Sequence, residues 1–143
     1  MKKKPPNRRR VFVSHSGEDT WVASQIAREI ASCGAEPFLD EANIDVGAEF
    51  EEDIRKFLEV ADELLVLCTP WSLERPYVWA EIGAAWIRGI PIVVVLHGIT
   101  KSDFQAIDKA PVFLKKRNLI RLNDIKRYFD QLSNRVAVRK VKK

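Results

Sequence analysis

Sulfur is scarce in this chain of 143 residues, which carries two cysteines, Cys33 and Cys68, and one methionine. Two thiols cannot build a disulfide framework, and neither stands at metal-ligand spacing from His15 or His97, so no metal is expected. Long apolar runs are also missing. The longest, Ile90 to Leu96, is far short of the roughly 20 residues that cross a bilayer, so no membrane span is expected. The start, MKKKPPNRRR, is basic like a signal peptide. Val11 to His15 runs directly into polar SGEDT, however, with no apolar stretch for export, and a cytoplasmic location is the expectation. Neither GxxxxGK[ST] nor GxGxxG occurs, which removes the backbone cradles of nucleotide hydrolysis and dinucleotide redox chemistry.

What is present is a globular composition: 46% apolar residues, 31% charged residues and a mean hydropathy of -0.20. The length suits one domain. Its net charge of +4 hides an asymmetry. Of the 24 basic residues, 11 lie in residues 1–10 and 135–143, leaving 13 against all 20 acids in residues 11–134, a balance of -7. A nucleic-acid surface needs a basic stripe on the fold itself, so no specific nucleic-acid partner is expected. The division predicted is a basic tail over residues 1–9, a folded domain over 10–136 and a second basic tail over 137–143, with both tails solvated.

Short β-branched runs alternate with segments of helical period, the pattern of βαβ units and a parallel sheet. Strands are predicted at Val11–His15, Glu36–Asp40, Leu64–Cys68, Ile90–Leu96 and Leu119–Leu122. Between them, Trp21, Val22, Ile26, Ala27 and Ile30 mark a helix from about Asp19 to Cys33 that stops at Gly34. Phe50, Ile54, Phe57, Leu58 and Ala61 mark a second, and Val78 to Arg88 a third that stops at Gly89. A short helix is expected around Ser102 to Asp108, and Ile125, Tyr128, Phe129, Leu132 and Val136 form a closing one. Trp21 and Trp86 read as core, and Cys33 and Cys68 as plain thiols too far apart to bridge. Right-handed crossovers then give a flavodoxin-like three-layer α/β sandwich, a five-stranded parallel sheet of order 2-1-3-4-5 with helices on both faces.

In such a sheet ligands bind beyond the strand carboxyl ends at the switch point, here between strands one and three. The loops meeting there are Ser14 to Thr20 and Thr69 to Tyr77, and a helix opening at Val78 puts Glu81 in its first turn. A phospho-acceptor receiver needs an Asp at the end of strand three, where this chain has Cys68, Thr69 and Pro70. His15 and His97 lie in separate loops and compose no Ser/His/Asp set.

Read together, VFVSHSGED (Val11 to Asp19), FLDEANIDVGAEFEEDI (Phe38 to Ile54) and LLVLCTPWSLERPYVWAEIGAAW (Leu64 to Trp86) resemble the successive boxes of Toll/interleukin-1 receptor (TIR) domains. They are closer to the bacterial, enzyme-type members than to receptor adaptors. Enzymatic TIR domains cleave NAD between nicotinamide and ribose, and the resemblance places the catalytic glutamate on Glu81. It places the aromatic four positions earlier on Tyr77, where Trp is commoner; Trp79 is out of register. The chemistry agrees, because nicotinamide leaves a cationic pyridinium as a neutral molecule, so one ionised carboxylate suffices where glycosidases use two. No cofactor is implied, NAD being the substrate.

The remaining assignments each have an ordinary alternative. Tyr77 either stacks on a flat cationic ring or packs against Trp71. Ser14, Ser16 and Asp40 end strands at the same edge, where they either bind ribose or phosphate oxygens or cap helices. Trp71 and Phe50 are core or assembly residues, or else ligand contacts. The loop Glu41 to Gly47, with exposed Ile44, Asp45 and the Gly47 turn, and Phe50 just beyond it, reads as an assembly surface or as an ordinary solvent-exposed turn. The resemblance implies self-association through TIR–TIR contacts, a separately encoded effector or sensor as partner, and a role in antiphage immunity. Two other functions compete. Nucleoside deoxyribosyltransferases share such a sheet, a glutamate nucleophile and a small-residue stretch like EIGAA. They usually carry an acid shortly before that glutamate, where this chain offers Glu74 alone. A non-catalytic TIR scaffold is the other, since a fold does not fix a function.

Overall fold

The computed structural model describes residues 8–39, 56, 58–107, 110, 114 and 119–141. Among them, five strands form one parallel sheet: β1 Arg10–Ser14, β2 Glu36–Leu39, β3 Glu63–Cys68, β4 Ile92–Leu96 and β5 Leu119–Arg121. Their order is β2-β1-β3-β4-β5, as the alternating pattern predicts. The helices are α1 Thr20–Ser32, α2 Pro76–Arg88, α3 Lys101–Gln105 and α4 Lys126–Val141. Lys56 and Leu58–Val60 are also helical, within the span expected for a helix around Phe50 to Ala61.

β3 is buried along its whole length, and its alternate residues feed two cores. Leu64, Val66 and Cys68 join Phe12, Val94 and Leu96 beneath Val78, Ile82 and Ala85 of α2. Leu65 and Leu67 join Val13 and Val95 beneath Ile26 and Ile30 of α1 and Leu132 of α4. The layers are therefore helix, sheet, helix. Cys68 and Cys33 belong to opposite faces and are free. Burial pushes the Cys68 thiol up to about 12, so it stays protonated and inert.

Glycine and proline set the helix ends. Gly34 follows α1 at φ +93°, a conformation that favours glycine, and a Cβ there would also crowd Val136 Cγ1 at 3.2 Å. Gly89 closes α2 in the left-handed conformation. At its other end α2 opens with Pro76 as a first-turn residue, two positions before the expected Val78, because proline's fixed φ suits that place and its missing N–H costs nothing there. Glu81 consequently lies in the second turn, not the first.

Two tryptophans expected in the core are outside it: Trp21 is 74% exposed and Trp86 52%. The buried stripes are Ala23, Ile26, Ala27 and Ile30 on α1 and Val78, Glu81, Ile82 and Ala85 on α2. Both rings fall beside these stripes, and apolar character alone had placed them within.

The basic ends are likewise not all solvated. Glu63, fully buried at the start of β3, accepts from Arg9 Nε at 2.6 Å, from the Tyr128 hydroxyl, and from Arg135 at 3.4 Å. Arg10 pairs with Glu36 at 3.6 Å. Burial and the adjacent Glu63 carboxylate hold the Tyr128 phenol well above its ordinary range, so it remains a donor. Glu63→Gln removes the charge that two guanidinium groups face. We expect a loss of about 1–3 kcal/mol in urea unfolding, less than for a wholly buried pair because Arg9 and Arg135 keep some water.

Candidate active site

The last residue of β1 and the second turn of α2 meet above the carboxyl ends of β1 and β3. β1 holds the backbone of Ser14 in register with Val66 of β3, and the residue is fully buried. Glu81 stands on the inward stripe of α2 between Val78 and Ile82 and is 2% exposed. Ser14 Oγ donates to Glu81 Oε1 at 2.5 Å, across 67 residues of sequence. In the second turn the helix dipole acts weakly on Glu81, and the Ser14 hydroxyl is a hydrogen-bond donor to it there.

Two further loops are fastened beside this pair. Ser16 is buried and caps the 3-10 turn Gly17–Asp19, its Oγ accepting from the Glu18 N–H at 3.0 Å. Asp19, also buried, accepts from Thr69 Oγ1 at 2.6 Å. Thr69 Oγ1 in turn accepts from the Ser72 N–H at 3.1 Å, and Ser72 Oγ accepts from the Thr69 N–H at 2.8 Å. The β1 and β3 loops are thus stitched by a buried acid and two hydroxyls that sequence reasoning passed over. The signal available was the Thr-x-x-Ser spacing of Thr69 and Ser72, which favours local side-chain bonds to backbone. Trp79 Nε1 donates to the Leu73 carbonyl at 3.1 Å, anchoring the first turn of α2 to the same loop.

Tyr77, second residue of α2, is 41% exposed, and Trp71 is exposed in the loop after β3, so neither is a core residue. His15 is buried beside Ser14, its Nδ1 2.7 Å from the Ser16 carbonyl. A carbonyl only accepts, so that nitrogen carries the proton. His97 stands apart from Glu81 and lines an apolar groove of about 430 Å3 between α1 and α4, with Trp21, Ile26, Leu122 and Phe129. Asp40, Ile44, Asp45, Gly47 and Phe50 lie outside the described residues. Among the described residues no group of His, Cys, Asp and Glu could hold a metal ion. No helix among them is long and apolar enough to cross a membrane.

Residues 11–135 match the TIR domain family. The chain belongs to the TIR domain family. No curated protein sequence gives a significant match. Among solved structures, the TIR domain of the Toll-related receptor TRR-2 from Hydra magnipapillata superposes with a TM-score of 0.67. The two are 17% identical, over 89% of this chain and 97% of that one. The TIR domains of the activated Roq1 resistosome match at 0.54 and 15%, over 90% and 84%. A 2-deoxyribosyltransferase from Bacillus psychrosaccharolyticus matches at 0.61 and 14%, over 86% and 95%. At such identities the likeness is one of fold.

The stitch between the loops of this TIR domain is directly testable. Thr69→Val keeps the shape but leaves the Asp19 carboxylate and the Ser72 N–H without the Thr69 hydroxyl, and a loss of about 1–3 kcal/mol in chemical denaturation is expected. Thr69→Ser, which restores the hydroxyl, should recover most of it. Equal stability of Thr69→Val and wild type means the stitch does not form in solution.

Proposed function

We propose that this TIR domain is an NAD glycohydrolase, with Glu81 as the catalytic carboxylate. The observation that carries the reading is the pairing of Glu81 with Ser14: a carboxylate withdrawn from water yet kept supplied with a donor, at the edge where parallel α/β sheets bind their ligands. The TIR family includes NAD-cleaving members as well as scaffolds. In the reaction the bond from ribose C1′ to the pyridinium nitrogen breaks, and its electron pair leaves with neutral nicotinamide. Glu81 stabilises the positive charge that develops on the ribose. Water then attacks C1′, yielding ADP-ribose and a proton. Attack by another nucleophile gives a cyclic or conjugated product. Tyr77, exposed at the start of α2, supplies a ring to stack on the nicotinamide, and Trp71 a second aromatic surface. Asp40 and Ser16 complete the set of groups for ribose and phosphate oxygens.

The same reading makes the protein a bacterial, enzyme-type TIR domain of the cytoplasm. It acts in antiphage defence by depleting NAD or by making a signal for a separately encoded effector. It rests on the motifs Val11 to Asp19, Phe38 to Ile54 and Leu64 to Trp86. The second enzyme reading, deoxyribosyl transfer, draws on the similar fold of a 2-deoxyribosyltransferase. Glu74, the acid it needs near Glu81, is exposed at the end of a 3-10 turn, which disfavours it. Incubation with a deoxynucleoside and a free base separates the two, since base exchange without NAD loss selects the transferase.

Glu81→Gln keeps the size of the side chain and removes its charge. Mass spectrometry of the products should show nicotinamide release falling by about 100-fold or more while the fold is retained; full activity in this variant would falsify the assignment. A stacking role for Tyr77 makes Tyr77→Phe mild and Tyr77→Ala severe in steady-state kinetics. Equal damage by both points instead to the hydroxyl. Assembly through the loop from Glu41 to Gly47 predicts specific activity that climbs with protein concentration or with a crowding agent. Ile44→Asp flattens the climb by placing an unpaired charge in the contact. Constant activity per mole across a thousandfold dilution, with Ile44→Asp silent, means one chain holds the whole site.

A further inference from the structure

We propose that Ser14 is a positioning residue for Glu81 and not a contact for substrate oxygens, an inference that rests on the reading of Glu81 as the catalytic carboxylate. Ser14 has one hydroxyl proton, and the geometry commits it to Glu81 Oε1 at 2.5 Å. The residue is fully buried. A ribose or phosphate oxygen that needs a donor therefore cannot obtain it from Ser14 without breaking this bond. The two partners are carried by stiff elements: β1 lies between β2 and β3, paired with both. α2 is fixed at its start by Pro76 and by the Trp79 bond to Leu73. Between these supports the glutamate side chain is the flexible part, and the serine hydroxyl holds one of its carboxylate oxygens in place.

Kinetics of Ser14→Ala separate positioning from substrate contact. With Ser14 as the positioning group, kcat for NAD falls by about 10- to 100-fold while KM stays within about twofold, because binding is kept and the placement of the stabilising carboxylate is lost. In a Glu81→Gln background the same change lowers the rate no further, since the two residues act as a unit. A raised KM with kcat preserved overturns the proposal and makes Ser14 a substrate contact, leaving Glu81 in its role. A second measurement needs no turnover: urea unfolding of Ser14→Ala, Glu81→Ala and the double variant. The pairing predicts that the effects on the unfolding constant fail to multiply by about tenfold. Multiplication within about twofold overturns the proposal even in an active enzyme. A wild type that leaves NAD intact overturns the function, and with it any part for Ser14 in a reaction, whatever the unfolding cycle gives.

Discussion

A carboxylate taken out of water has to be given donors by the protein, and this requirement organises both poles of the sheet. Among the described residues, Asp19, Glu63 and Glu81 are the buried acids. Each lies where chain segments distant in sequence have to meet. Glu63 at the start of β3 gathers the segment just before β1 and the last helix. Asp19 joins the β1 loop to the β3 loop. Glu81 joins α2 to the end of β1. The apolar layers between these points are non-directional and tolerate sliding, whereas a hydrogen bond to a charge does not. The acids thus fix registers that packing alone leaves loose, and Glu81 does so at the edge where the strands end.

The layer order and strand sequence were legible because a parallel sheet buried on both faces leaves continuous apolar runs, and Leu64 to Cys68 and Ile92 to Leu96 are such runs. Gly34 and Gly89 marked helix ends through a conformation that side chains resist. The start of α2 was misread by two residues because apolar periodicity begins at Val78, while proline begins the helix silently. Trp21 and Trp86 were misplaced for a related reason: periodicity counts an aromatic as core wherever it falls near the stripe. Arg9 was read as solvated because a run of like charge looks like a tail, and nothing local announces a partner 54 residues away. Glu81 was singled out by its place at the switch point, and the structure shows it buried there. The Ser14 hydroxyl that holds it was named for a different task, since one proton's destination is a matter of tertiary geometry.

The likeness to both TIR domains and a 2-deoxyribosyltransferase, at 17% identity or less, shows how little of this architecture depends on particular side chains. Right-handed crossovers and a switch point recur wherever the strand order does, and they bring a strand end and a helix start together at one edge. What distinguishes members of such a set is the few polar groups mounted there. Family membership accordingly fixes the frame, and the carboxylate and its donor carry the functional argument.

The cluster around Glu63 has a consequence for how the domain can be mounted. Arg9, just before β1, and Arg135, well along α4, reach the same carboxylate, so both flanks of the fold converge on the pole where the strands begin. Glu81 is at the other pole, where they end. A support grafted at either flank therefore hangs the domain with its ligand-binding edge facing outward. Two domains suspended side by side from a common base would present their carboxylates in the same direction, like cups on a rail.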